Sequence, residues 1–140
     1  MGTDVMLPQG TAPWFEMVGE LMCKAASDYG LSLDLNVSMV ERYTDAVAIS
    51  DEIDQGLSFY IRGGAPSFKV GARRDEKVDI SIEITSAAAR TLNLLYSADP
   101  KFAAAVETFL SEGEMRVSGD PSRLGDWLST VHDTIVNRTT

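Results

Sequence analysis

Hydrophobic positions along the chain change their period partway through. Trp14, Phe15, Val18, Leu21, Met22, Ala25, Ala26 and Tyr29 recur at helical spacing. Thr11 is placed to cap that helix, Pro13 fits the first turn, where its missing N–H is not needed, and Gly30 is placed to end it. From Leu33 to Thr85 the period falls to two, the signature of half-buried strands. The alternation predicts strands at 36–43, 46–52, 57–62, 67–72 and 77–84, punctuated by Gly56, Gly63-Gly64, Pro66 and Asp75. Leu57, Phe59 and Ile61 share one face, as do Phe68, Val70 and Ala72. Val78, Ile80, Ile82 and Ile84 oppose Asp79, Ser81 and Glu83. A sheet with one apolar and one wet face needs helices on one side only.

Helical spacing returns after residue 85. Thr85 or Ser86 can cap a helix whose apolar positions are Ala88, Leu92, Leu95 and Tyr96. Asp99 caps the next, with Pro100 first and Phe102, Val106, Phe109 and Leu110 as its stripe. Met115 and Val117 then alternate with Glu114, Arg116 and Ser118, a further strand that returns to the sheet. Asp120 and Pro121 repeat the cap-plus-proline start, and Leu124, Trp127, Leu128, Val131 and Ile135 give a final helix its apolar face. Residues 1–10 have no period and are expected to form an arm over a single domain at 11–140, with no repeat or linker.

Composition narrows the classes of function. A chain of 140 residues with 44% apolar and 24% charged residues is an ordinary globular domain. The net charge of −9 argues against a nucleic-acid partner, which would need clustered cations. Arg62, Lys69, Arg73, Arg74 and Lys77 are the one basic concentration, diluted by Asp75 and Glu76, and read as a solvated turn. Cys23 is the single cysteine, expected to be a buried, inert thiol. No integral membrane segment is expected, since no stretch approaches the roughly 18 apolar residues a span needs. Without a basic-then-apolar leader, a cytoplasmic location is expected.

Candidate chemistry is sparse. His132 is the only histidine, and its neighbour Asp133 points elsewhere on a helix, so a structural or surface histidine is the favoured reading. Asp51, Glu52 and Asp54 lack a calcium-loop pattern and read as solvated carboxylates. One cysteine and one histidine cannot close a zinc site, and Gly63-Gly64 lacks phosphate-loop spacing. No catalytic residue, metal or cofactor is assigned. A general acid or base in an apolar pocket leaves no motif, because burial alone raises a carboxyl pKa. Asp79 and Glu83 lie on the polar face of their strand; Asp126, beside Trp127, is the better suspect.

What remains is apolar surplus. Phe59, Phe68, Leu92, Leu95, Phe102, Phe109, Trp127, Leu128 and Val131 exceed what covering one sheet face requires. Periodicity alone favours a packed core over a cavity, although both use these residue types.

The order of elements from Leu57 to Val131 carries a resemblance. An apolar strand (Leu57–Ile61), an alternating strand (Val78–Ile84), two amphipathic helices (Thr85–Tyr96 and Phe102–Leu110), a glycine-bracketed strand ending in Gly-Asp (Gly113–Asp120) and a closing helix (Leu124–Val131) resemble the sterol carrier protein 2 family of lipid-binding domains. The resemblance implies an α+β two-layer sandwich, with a mostly antiparallel five-stranded sheet covered on one face by helices and a hydrophobic tunnel between the layers. It implies non-catalytic binding and transfer of a sterol, fatty acyl chain or related lipid, with transfer of roughly 0.8 kcal/mol per buried CH₂ as the source of affinity. The expected lining is Phe59, Phe68, Leu92, Leu95, Phe102, Val106, Phe109, Leu124, Trp127, Leu128 and Val131. Exchange would open the last helix or the arm, and a transient partner protein would take part in delivery. The C-terminal Val-Asn-Arg-Thr-Thr lacks the Ser-Lys-Leu-like peroxisomal address. Similar domains are appended to larger enzymes such as alkylsulfatases; a stand-alone binder is the simpler expectation here.

Two rivals stand beside the carrier. One is a small ketosteroid-isomerase-like or cyclase-like enzyme using a pocket carboxylate on a hydrophobic substrate; the other is an adaptor with an exposed apolar patch. An apolar tunnel without a buried carboxylate favours the carrier, a pocket with one favours the enzyme, and a solid core sinks both.

Overall fold

The computed structural model describes residues 5–140, so the first four residues of the expected arm lie outside the described part. Five strands, β1 (Val37–Tyr43), β2 (Ile53–Arg62), β3 (Ala65–Arg73), β4 (Ile80–Ile84) and β5 (Met115–Ser118), form one sheet in the order β3-β2-β1-β4-β5. Only β1 and β4 run parallel; the other neighbours are antiparallel. Four helices, α1 (Ala12–Tyr29), α2 (Ser86–Asn93), α3 (Pro100–Glu112) and α4 (Leu128–Asn137), complete an α+β fold.

The helix ends follow the local chemistry read from the sequence. The Thr11 hydroxyl accepts from the Trp14 N–H at 3.3 Å, and Gly30 closes α1 in the left-handed conformation. Thr85 caps α2 through the Ala88 N–H, and Asp99 caps α3 through the Lys101 N–H. Asp120 accepts from the Ser122 N–H at 3.0 Å, and Gly119 ahead of it has a φ of +81° with no room for a Cβ against the Asp79 carbonyl.

Three elements differ from expectation. Residues 46–52 are not a strand; Val47 and Ile49 are exposed there, and β2 instead begins at Ile53 and runs through a bulge between Asp54 and Leu57. Alternation in that stretch has no partner strand to reward it. The last helix is broken: Pro121–Leu124 is a 3-10 turn, and Gly125, at φ +119°, separates it from α4. The Trp127 indole donates to the Leu124 carbonyl at 2.8 Å, satisfying a group that a continuous helix would have used. The second helix stops at Asn93, leaving Leu95 and Tyr96 in the turn before α3.

One face of the sheet carries Val37, Met39 and Tyr43 of β1 and Leu57, Phe59 and Ile61 of β2 into the core beneath α1 and α4. Phe59 and Ile61 are fully enclosed, and Phe59 packs on Trp127 with ring centres 5.7 Å apart. Helix α1 approaches β3 closely because Gly19 has no side chain: a Cβ there would lie 2.2 Å from the Phe68 ring. The opposite face is less wet than alternation implies. Val40, Ser58 and Tyr60 are buried on it, and the Tyr60 hydroxyl donates to Glu76, which reaches over from the β3–β4 connection. The basic residues nearby are engaged, Arg74 with Asp54 and Arg62 over the Tyr60 ring. Residues 5–10 run along the C-terminus, where Leu7 exchanges backbone hydrogen bonds with Arg138 and Thr140. Beside them the Trp14 indole donates to the buried Thr139 hydroxyl at 3.0 Å.

Candidate functional site

Between the sheet and the helices the packing leaves space. One cavity of about 170 Å³ lies under α1 and α4, lined by Trp14, Val18, Met39, Leu128 and Val131 among others. A second, of about 180 Å³, lies under α2 and α3 and is lined by Ile84, Leu92, Phe102, Val106 and Met115. The two share Glu41, Ile82, Asn93 and His132, so they meet at a polar waist in an otherwise apolar interior.

Strand geometry explains the waist. Side chains alternate across a strand, and Val37, Met39 and Tyr43 of β1 face the helices, so Glu41 faces them too. It stands in register between Leu57 of β2 and Ile82 of β4. Among the described residues the Glu41 carboxyl has neither a hydrogen-bond donor nor a counter-ion, and what it still exposes faces the cavities it lines. Burial without a partner penalises the carboxylate and pushes its pKa up to about 7. The buried hydroxyl of Tyr43, two residues along, is pushed well above its ordinary value by burial first and by the Glu41 charge second.

His132 is half-buried rather than a surface histidine. Its Nε2 lies 2.8 Å from the Leu95 carbonyl, which can only accept, so Nε2 carries a hydrogen and Nδ1 of the neutral ring is an acceptor. The ring tilts against Phe102 with centres 4.6 Å apart. Asp133 turns away and accepts from the Ser97 N–H and hydroxyl. The Asn93 side chain, on the last residue of α2, has no hydrogen-bond partner among the described residues and is half-buried.

Of the residues expected to line a binding space, Leu92, Phe102, Val106, Leu128 and Val131 line one or other interior cavity. Trp127, together with Val131, lines a wider groove of about 550 Å³ between α1 and α4, where Asp126 also sits. Phe59 and Leu124 are fully enclosed in the core, Phe68 packs against Gly19, and Leu95 and Phe109 are partly buried; these five are not among the lining residues of the three spaces. The carboxylate enclosed in the interior is therefore Glu41 and not Asp126. Sequence reading passed over Glu41, although its inward place in the alternation Val37, Met39, Glu41, Tyr43 was a legible signal. Asp79 and Glu83 behave as read: Asp79 accepts from Ser38 and Glu83 pairs with Arg42 and Arg116, away from the cavities. Cys23 is half-buried, its thiol pKa raised first by burial.

No protein-family model matches the chain, and no curated protein matches it in sequence. Its backbone does match solved structures. The crystal structure of sterol carrier protein 2 superposes with a TM-score of 0.51 over 91% of this chain and 96% of that one, at 10% identity. This chain has the sterol carrier protein 2 fold. The α+β sandwich with its five-stranded sheet is the architecture the resemblance implied. A ubiquinone synthesis protein, UbiJ-SCP2, aligns over 89% of each chain at 11% identity and a TM-score of 0.49. The sec-alkyl sulfatase PisA1 aligns over 81% of this chain at 16% identity and a TM-score of 0.48; this chain spans 15% of that enzyme's length. Among the described residues no helix is long and apolar enough to cross a membrane.

Proposed function

We propose that this protein binds an apolar ligand, a sterol, acyl chain or related lipid, in the space between sheet and helices, and transfers it without making or breaking a bond. The observation that supports this reading is the pair of adjoining cavities lined mainly by apolar side chains, within a fold shared with sterol carrier protein 2. A ligand longer than either cavity would run through both, past Glu41, Asn93 and His132. Helix α3 is the natural cover. None of its residues is fully buried, whereas α4 is tied to the α2–α3 turn by His132, Asp133 and Asn137. Native mass spectrometry of the purified protein, with lipid extraction, tests the reading directly. A bound lipid, or saturable binding of a fluorescent fatty alcohol displaced by sterols, is expected; neither would overturn it.

One observation favours a second reading. Glu41 is an enclosed carboxyl with a pKa near neutrality, the property required of a base that moves a proton on a hydrophobic ketone. Deuterium exchange at the carbon next to a ketosteroid carbonyl, lost in Glu41→Gln, would select this reading over simple carriage.

A further inference from the structure

An unpaired carboxyl at the junction of two apolar cavities restricts what can lie beside it. Removing Glu41 would leave a lining that takes any alkyl body; its presence makes the waist acceptor-rich and opposed to negative charge. Three polar residues line both cavities: Glu41; Asn93, whose amide has two donors and an acceptor and no hydrogen-bond partner among the described residues; and His132, whose Nδ1 is an acceptor while Nε2–H is held by Leu95. Among the described residues, none lining either cavity is a lysine or arginine, so no fixed cation there awaits an anionic end group.

Building on the lipid-binding reading, we propose that Glu41, Asn93 and His132 recognise the uncharged hydroxyl end of the ligand, so that the protein selects lipid alcohols and rejects lipids ending in an anion. An alcohol can donate to Glu41 or to His132 Nδ1 and accept from the Asn93 amide. A carboxylate, sulfonate or phosphate only accepts, and it brings a second negative charge into a low-dielectric space. Burial already holds the Glu41 pKa near 7, so an adjacent anion works against a group that is itself costly to charge. The titratable groups facing Glu41 are His132 from α4 and Tyr43 along β1; the lining residues of α1, β2, β4, α2, α3 and β5 are apolar or amide.

Displacement of a fluorescent fatty alcohol from the full chain tests the selectivity. Dodecanol and dodecanesulfonate, below their micellar concentrations, are the competitors, because the sulfonate stays charged throughout the working range. At pH 8.5 dodecanol is expected to compete at least about tenfold better, a preference set by the like-charge penalty. In Glu41→Gln the gap is expected to fall to within about threefold through tighter sulfonate binding, since the amide removes the penalty while keeping the volume. Lowering the pH to 5.5 is expected to move the wild type the same way and to change Glu41→Gln much less. Equal competition in the wild type at pH 8.5, an unchanged gap in Glu41→Gln, or a pH response as large in Glu41→Gln as in the wild type would overturn the assignment. Should Glu41→Gln fail to fold, Glu41→Leu takes its place at pH 8.5, with the same narrowing of the gap expected and an unchanged gap overturning the assignment. Failure of the reporter to bind at all is a separate result: it would overturn the lipid-binding reading on which this selectivity rests.

Discussion

The two halves of the interior are built to different standards. Around β2 and β3, Phe59 and Ile61 are sealed, and α1 rides so close to β3 that Gly19 cannot carry a Cβ. From β1 across β4 to β5 the packing is open, with one cavity under α1 and α4 and the other under α2 and α3. There α3 buries no residue fully, Phe102 and Val106 border empty space, and the Glu41 carboxyl has no partner among the described residues. Interior packing normally approaches the density of organic crystals, so the second half forgoes dispersion energy that the first half collects. The lesson is that stability and capacity are segregated: the sealed half fixes the fold, and the open half can keep a cavity because it does not have to.

Mutations can break that contrast. The largest effect is expected from Phe59→Ala, which empties the sealed half beside Trp127; a loss of about 3–5 kcal/mol in chemical denaturation is expected. Glu41→Gln should act in the opposite direction. Because the folded-state pKa is raised to about 7 while an unfolded glutamate titrates near 4.3, the folded protein holds the extra proton between these values. Wild-type stability is therefore full below about pH 4, falls as the pH rises toward 7 and levels off above it, so far as this group governs it. The variant should lose that slope and exceed the wild type by up to about 3 kcal/mol at pH 8.5, read from denaturation midpoints across pH.

Smaller effects sharpen the comparison. Gly19→Ala should raise helix propensity yet cost about 1–3 kcal/mol, because the Phe68 ring must move; a gain in melting temperature would show that the α1–β3 contact is looser than described. Phe102→Ala, at the edge of the open half, should lower the unfolding free energy by less than about 1.5 kcal/mol in chemical denaturation while speeding release of a bound fluorescent lipid. Equal stability losses from Phe59→Ala and Phe102→Ala would erase the distinction between the halves.

Much of the architecture is local and so was legible in the chain. Thr11, Thr85, Asp99 and Asp120 cap where their side chains can reach a following N–H, and Gly30, Gly113 and Gly119 turn where only a residue without a Cβ turns easily. Alternation located β1, β3, β5, most of β2 and the end of β4; it misled at 46–52, where Val47 and Ile49 found no neighbouring strand, at 77–79, and on the expected wet face, where Val40, Ser58 and Tyr60 are buried. The break at Gly125 was harder to see, since a single glycine inside a helical pattern is often tolerated.

The sequence by itself determined which faces are apolar, where helices begin and end, and that no zinc or phosphate-loop pattern is present. Only the tertiary structure decided which of the apolar residues seal a core and which border a cavity, because a void is defined by the elements around it and not by any one of them. Phe59 and Phe102 look alike along the chain and differ in what closes over them. Glu41 shows both sides of this division. Its inward direction follows from the period of β1, but its isolation follows from the parallel β1–β4 pairing and the helices above, which set Ile82, Asn93 and His132 around it and, among the described residues, supply no lysine or arginine.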